Sequence, residues 1–504
     1  MDRETPRIHP CAEVYNCAMS LSPPPRAAGP KHSSAKAKPK TSDKAAYQSV
    51  NPATGKIVKT FVELSDARLE TAIKTAAACF VSWRETTFAH RAAIVAKAAS
   101  LLRSQSDEFA RLVTLEMGKL IEQARGEVAL SADILDYYAK HAEHFLAPEK
   151  LKPETGEAVI ENTPLGVLFG VQPWNFPYYQ LARFAAPNLM AGNVVMVKHA
   201  GCVPQSALAF EKLWRDAGAD AGTYTNLFIS YDQVNQIIDD QRVQGVALTG
   251  GVDAARRVAT RAGQNVKKTT MELGGNDAFV VLADADLDKT VEWAVWAKMN
   301  NNGQCCIAGK RFIVVEELAD AFLEKFQTAL AALKPGDPMD AATTLAPMST
   351  EGALVTLLDQ IEGAVAKGAK LLLGGKRIDR PGAFMQPTIL TNLKPANPAY
   401  REEFFGPVAL FFRVKDEEAA IALANDSDFG LGGSVFTKDV ERGKRVARRI
   451  DTGMVFINHP TWTSPDLPFG GIKSSGYGRE LSALGIQEFV NKKLIRTTSI
   501  NAPV

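Results

Sequence analysis

At 504 residues the chain is too long for a single core, so two or three domains are expected. With 46% hydrophobic and 23% charged residues it has the composition of an ordinary globular protein, not of a disordered or fibrous one. A net charge of +2 excludes nucleic-acid or membrane-surface binding built on charge alone, and the small surplus sits in residues 1–46, where eight Lys/Arg stand against four Asp/Glu.

Residues 1–46 read as a disordered tail. Pro23-Pro24-Pro25, Ala27-Ala28 and a Ser/Ala/Lys/Pro stretch to Lys44 cannot build a core. The tail lacks the apolar segment of a secretory signal, and Asp2, Glu4 and Glu13 fit a transit peptide poorly. From about 62 to 145 the pattern is helical: Leu69, Ile73, Ala76, Ala77 and Phe80 recur at helix spacing, as do Ile94, Ala98, Leu101 and Leu102. Residues 148–165 carry Pro153, Gly156 and Pro164 around the β-prone Ala158-Val159-Ile160, and are expected to leave the domain as a hairpin. Strands are then predicted at 167–171, 194–198, 226–229 and 245–249, with helical patterns between them. That rhythm is the signature of a parallel α/β sheet whose strand C-termini can bind a nucleotide. A second α/β set starts at 278–282 and continues through 311–315, 371–373, 408–414 and 454–457. Residues 493–498 read as a last strand, suited to the edge of a partner's sheet.

The six cysteines lack paired spacing, so a disulfide scaffold is not expected and a reducing cytoplasm is. They form no metal-ligand pattern with the seven histidines, and no apolar run is long enough to span a membrane. One thiol stands out. Asn300-Asn301-Asn302-Gly303-Gln304-Cys305-Cys306 presents it on polar, turn-forming backbone just before a β-rich run. Upstream, Met271-Glu272-Leu273-Gly274-Gly275-Asn276 offers a carboxylate followed by a glycine pair, and Pro173-Trp174-Asn175-Phe176-Pro177 offers an amide. A thiol, a carboxylate and an amide are the components of acyl-thioester chemistry.

These three blocks are followed by Glu403-Phe404-Phe405-Gly406-Pro407 and by Pro468-Phe469-Gly470-Gly471-Ile472-Lys473-Ser474-Ser475-Gly476. Together and in this order they resemble the aldehyde dehydrogenase superfamily, over roughly Val50 to Thr498. Val197-Lys198-His199-Ala200 and the stretch 469–481 are similar to the bacterial succinate-semialdehyde dehydrogenases.

The resemblance implies that Cys306, second after Gln304, is the nucleophile, and that only its thiolate is competent. Cys305 fills a variable position as a small side chain; the alternative is a strained, reversible disulfide with Cys306. Glu272 corresponds to the general base, and Asn175, with the Cys306 backbone N–H, to the oxyanion donor. Asn175 also suits a helix start ahead of Pro177. For the cofactor, NAD or NADP, Lys198 corresponds to the adenosine-ribose contact and Glu403 to the nicotinamide-ribose contact, while Trp174 and Phe405 line the nicotinamide pocket. Gly250 and Gly251, between a strand and a helix, suit a pyrophosphate, although Gly251 and Ala255 depart from the usual Ser and Gly. Gly201 stands where NAD-preferring relatives often carry a ribose-chelating Glu, so NADP should compete with NAD.

The substrate implied is a small ω-carboxy aldehyde, succinate semialdehyde first. Arg183 would grip its far carboxylate, with a structural salt bridge as the alternative, and Ser464 would donate one hydrogen bond. A second carboxylate-binding Arg of some relatives is replaced by Asn300. The expected architecture is α/β: a Rossmann-like NAD(P)-binding domain (47–144, 166–273 and 475–491), a second α/β catalytic domain (274–474), and a small β oligomerisation element (145–165 and 492–504) that makes a homodimer or homotetramer.

Overall fold

A computed structural model describes residues 47–502; the disordered tail expected over 1–46 lies outside them. The described chain opens with a hairpin that periodicity does not reveal, Tyr47–Asn51 against Lys56–Phe61. Its second strand is largely exposed and rich in Lys and Thr, so no apolar alternation marks it. The helical stretch resolves into Asp66–Trp83, Phe88–Ser104, Ser106–Met117 and Ile121–Phe145. Ser65 and Thr87 cap the first two by accepting N–H groups of Arg68 and His90. Gly118 ends the third at φ 80°, where a side chain would be strained.

These helices share one apolar core with a six-stranded sheet. The sheet order is Gly476–Tyr477, Lys268–Glu272, Val243–Thr249, Val167–Gln172, Val194–His199, Tyr224–Asn226, parallel except for the antiparallel Gly476–Tyr477 edge. Val167–Gln172 and Val243–Thr249 are near-continuous apolar runs because both faces of the sheet are covered. Successive strands are added on one side of Val167–Gln172 and then on the other. The order therefore reverses there, and a crevice opens beyond the carboxyl ends of Val167–Gln172 and Val243–Thr249.

The strand predicted at 226–229 is displaced. The ladder to Val194–His199 uses Tyr224–Asn226 instead, and Ile229 is taken up by the Tyr47 hydroxyl, which accepts from its N–H (3.0 Å) and donates to its C=O (2.9 Å). The second set forms a seven-stranded sheet, ordered Lys370–Leu373, Thr388–Thr391, Val408–Val414, Arg311–Val315, Ala278–Val281, Gly433–Phe436, Phe456–Ile457. Only the Lys370–Leu373 edge runs antiparallel. Residues 148–165 do form a hairpin, Glu149–Leu151 with Glu157–Pro164. The C-terminal strand Val490–Thr497 pairs with Glu157–Pro164 of its own chain, and leaves Leu494 and Ile495 exposed at 60% and 39%. No described helix is long and apolar enough to cross a membrane.

Candidate active site

The strand Val167–Gln172 leads through Pro173-Trp174-Asn175-Phe176 into the helix Pro177–Met190, with Pro177 in the first turn, where a missing N–H costs nothing. No side chain of the turn itself caps this helix. The buried carboxylate of Glu127, from the helix Ile121–Phe145, accepts the N–H groups of Tyr178 (2.8 Å) and Tyr179 (3.3 Å) and pairs with the buried Lys119. The Lys119 ammonium also lies 3.6 Å from the centre of the Phe176 ring. Lys119 and Glu127 fix the entry angle of this segment. The signal for them was present: Glu127 interrupts the apolar face Ile121, Ala124, Val128.

The thiol loop follows the helix Leu287–Met299. Asn301 and Asn302 adopt φ of 53° and 54°, the left-handed region that Asn tolerates best after Gly. The Asn301 amide donates to the carbonyls of Asn175 (2.8 Å) and Gln304 (3.0 Å), joining this loop to the previous segment. A Cβ at Gly303 would lie 2.1 Å from the Gly406 carbonyl oxygen. Behind the loop the fully buried Lys310 ammonium donates to the Cys305 carbonyl (2.8 Å) and the Cys306 carbonyl, and pairs with Glu403 (3.0 Å). Burial opposes its charge, but Glu403, Asp277 and the two thiols outweigh burial and hold it above the ordinary lysine range. Lys310→Met would leave these acceptors orphaned. It is expected to cost on the order of 3–5 kcal/mol, read by urea unfolding; a variant as stable as the parent sinks the claim that this ammonium holds the loop.

Cys306 lies where two cavities meet. A cleft of about 230 Å³ is lined by Trp174, Asn175, Thr249, Gly250, Gly251, Glu272, Gly274, Glu403 and Phe405, and by Cys306 itself. A narrower pocket of about 40 Å³ is lined by Phe176, Tyr179, Arg183, Asn300, Trp462, Thr463 and Phe469, and again by Cys306. Glu272 ends the strand Lys268–Glu272, is 2% exposed, and has no hydrogen-bond partner on either oxygen among the described residues. Burial first, then the Glu480 charge, push its pKa well above the carboxylate range, against the pull of Arg183. The adjacent thiols titrate together. The neighbouring Cys305 sulfur and burial hold Cys306 above the ordinary thiol range, so Cys306 needs a base. Asn175 donates to the Gln304 carbonyl (3.1 Å) and accepts from the Gln180 amide (2.9 Å), which leaves its second N–H for the cleft.

Gly250 and Gly251 lie between the strand Val243–Thr249 and the helix Val252–Gln264, at the crevice where the sheet order reverses. A Cβ at Gly251 would meet nothing within 4 Å, and one at Gly250 only Leu248 at 3.6 Å, so the floor of the cleft is open backbone at a helix N-terminus. Trp174 and Phe405 stand perpendicular, ring centres 5.8 Å apart, and Glu403 accepts the Gly275 N–H (3.1 Å). This cleft has the chemistry to fit a dinucleotide: N–H groups for a diphosphate, a carboxylate for hydroxyls and aromatic walls for a ring. Lys198, next to last in the strand Val194–His199, is not part of this lining; its ammonium lies over the rings of Tyr47 (5.2 Å) and Tyr231 (5.4 Å).

Two residues sit differently from their expected geometry. Arg183 is ion-paired with the buried Glu480, so its charge is already answered inside the protein. Ser464 does not line the pocket; its hydroxyl donates to Asp466, and the neighbouring Thr463 takes the pocket-facing place. Sequence reasoning missed roles for Glu127, Lys119, Gln180, Lys310, Glu480 and Thr463; of these only Glu480 lies in a stretch that carries the resemblance, and it was given no role there.

The chain matches the aldehyde dehydrogenase family over residues 39–495. It is 50% identical over 450 residues to the succinate-semialdehyde dehydrogenase [NADP(+)] of Deinococcus radiodurans, covering 89% of this chain and 94% of that one. It is 46% identical to a probable succinate-semialdehyde dehydrogenase [NADP(+)] of Synechocystis, covering 89% and 99%. The crystal structure of succinic semialdehyde dehydrogenase from Streptococcus pyogenes, in complex with NADP+, superposes with a TM-score of 0.89 at 47% identity, covering 90% of this chain and all of that one. On sequence and on fold alike, the chain belongs to the aldehyde dehydrogenase family.

Proposed function

We propose that this protein oxidises succinate semialdehyde, or a similar short ω-carboxy aldehyde, to the acid through a thioester on Cys306. One observation carries the reading: Cys306 and Glu272 share the cleft whose floor is Gly250-Gly251 at the crevice of a parallel sheet. The names of the Deinococcus and Synechocystis relatives support the substrate.

The sulfur of Cys306 adds to the aldehyde carbon and its proton passes to Glu272. The oxygen that becomes negative is held by the Asn175 amide and the Cys306 backbone N–H; one such donor is worth roughly 3 kcal/mol. A bound nicotinamide dinucleotide supplies the hydride acceptor. Glu272 releases the thiol proton to solvent, and Cys306 carries the acyl group as a thioester until Glu272, ionised again, takes a proton from the attacking water; the C–S bond breaks, that proton returns to the Cys306 sulfur and the acid leaves. Gly250 and Gly251 would hold the diphosphate, Lys198 the adenosine ribose and Glu403 the nicotinamide ribose, between Trp174 and Phe405.

Gly201 contributes a backbone carbonyl, which accepts the Gln48 N–H (2.9 Å), and no carboxylate that would repel a 2′-phosphate. NADP is therefore used at least as well as NAD. Residues 47–144, 166–273 and 475–491 form the dinucleotide half, 274–474 the catalytic half, and 145–165 with 492–504 the contact to a second copy, in a dimer or tetramer. The exposed strand Val490–Thr497, with Leu494 and Ile495 open to solvent, supports that last part. The free thiols Cys79, Cys202, Cys305 and Cys306 support a reducing cytoplasm.

A steady-state panel of succinate semialdehyde, glutarate semialdehyde and neutral aldehydes with each cofactor, with and without coenzyme A, tests the reading. Succinate semialdehyde with NADP should give the highest kcat/KM, unchanged by coenzyme A. A preference for NAD over NADP of ~10-fold, about 1.4 kcal/mol, would overturn the cofactor reading, and rates that depend on coenzyme A would overturn water as acceptor.

A further inference from the structure

Resting on the assignment of Glu403 to the nicotinamide ribose, we propose that Lys310 and Gly274 are positioning residues for that carboxylate. Lys310 tethers one of its oxygens to the thiol loop, and Gly274 keeps the place of the other, which meets the dinucleotide.

Hydrogen-bond valence carries the argument. An ammonium has three N–H donors and no acceptor. The buried Lys310 has three acceptors: the carbonyls of Cys305 (2.8 Å) and Cys306, and Glu403 Oε1 (3.0 Å). No donor is left for anything else in the cleft, so Lys310 joins Glu403 to the backbone of the nucleophile loop. The Gly275 N–H (3.1 Å) goes to the same Oε1. Oε2 takes no hydrogen bond among the described residues, and Glu403 lines the 230 Å³ cleft. A carboxylate anchored through one oxygen by a charge-assisted bond presents the other in a fixed orientation. The Lys310 ammonium also lies 5.9 Å from the centre of the Phe405 ring, so it backs both cleft-lining side chains of this segment.

The glycine pair after Glu272 serves the two ends of this tether. A Cβ at Gly274 would overlap Glu403 Oε2, and one at Gly275 would lie 2.8 Å from the Cys306 carbonyl oxygen. Gly274 is held in place, because Ser475 Oγ donates to its carbonyl (2.7 Å) and its neighbour Gly275 is bonded to Glu403. An alanine at 274 therefore displaces the far end of the Glu403 side chain and leaves the backbone where it is.

The test is calorimetric titration with NADP+ and with adenosine 2′,5′-bisphosphate, which carries the adenosine end of NADP+ and no nicotinamide ribose. Gly274→Ala, Lys310→Met and Glu403→Gln should each raise the Kd for NADP+ by about tenfold or more, ~1.4 kcal/mol. Each should leave the Kd for the fragment within about twofold, whereas a general loosening of the fold would weaken both. Lys310→Met is the variant most at risk of not folding, since it strands the Glu403 charge. The double variant Lys310→Met/Glu403→Gln removes that charge, and should bind NADP+ as Glu403→Gln does, because Lys310 acts through Glu403. The proposal is overturned by a parent-like Kd for NADP+ in Gly274→Ala or Lys310→Met, by equal weakening of the fragment, or by a double variant far weaker than Glu403→Gln. In each of those cases a weakened Glu403→Gln keeps the ribose assignment standing. A Glu403→Gln protein that binds NADP+ like the parent overturns the ribose assignment and this inference together.

Discussion

Cys306→Ser should fold like the parent and lose aldehyde oxidation by roughly 10³-fold or more, over 4 kcal/mol of barrier. The substitution changes one atom in a half-buried side chain, so packing is nearly conserved and the melting temperature should stay close. Chemistry is not conserved. A serine hydroxyl is far harder to deprotonate than a thiol, and Glu272, raised by burial, is a base suited to a thiol. Cys305→Ala is the control. Cys305 lines only the narrow pocket and is not part of the 230 Å³ cleft, so its loss should leave the acyl-transfer atom in place. Single-turnover absorbance of reduced nicotinamide separates the two variants. A Cys306→Ser protein that turns over as fast as the parent removes the thioester from the mechanism.

Much of this site was legible because its residues stand at the ends of regular elements. Asn175, Gly250 and Glu272 follow or end parallel strands, and a parallel sheet delivers those ends to one rim. The strands themselves were legible wherever both faces are buried, as at Arg311–Val315 and Val408–Val414. Other features were not legible, for two physical reasons. First, exposed or short strands lack the apolar alternation that reveals them: Lys56–Phe61 is polar, and Gly476–Tyr477 is two residues long, yet it is the edge of the first sheet. Second, the groups that set the site's electrostatics act across sequence. Glu127 reaches Tyr178 over 51 positions, Tyr179 reaches Thr463 over 284, and Glu480 meets Arg183 from the far end of the chain. Periodicity carries nothing about such pairs. Arg183 shows the consequence: the sequence left a grip on substrate and a structural salt bridge both open, and only the fold shows the pair with Glu480 at the wall of the narrow pocket.

Glu272→Gln should cut steady-state turnover by about 10²–10⁴-fold while leaving a single burst of reduced nicotinamide per active site, slower than the parent's because Cys306 must then lose its proton to solvent. An amide of the same shape cannot take a proton from water, so the thioester on Cys306 should accumulate, visible as a mass increment on the intact protein. The pH dependence follows from burial. In the parent, the Glu272 pKa lies well above the carboxylate range, so turnover should rise with pH through that raised value as the base ionises; in the variant this limb should vanish. Stability should move the opposite way. A carboxyl that keeps its proton when folded but loses it near 4.5 when unfolded supports the fold below that pH, and the support is lost as pH rises toward the raised native value. Glutamine removes that slope. Glu272→Gln should therefore melt above the parent at about pH 8 and converge with it in acid, the mark of a buried carboxylate retained for chemistry at some cost to the fold. If the variant melts below the parent at alkaline pH, or turns over without a burst, Glu272 is a structural carboxylate and the water must be activated elsewhere.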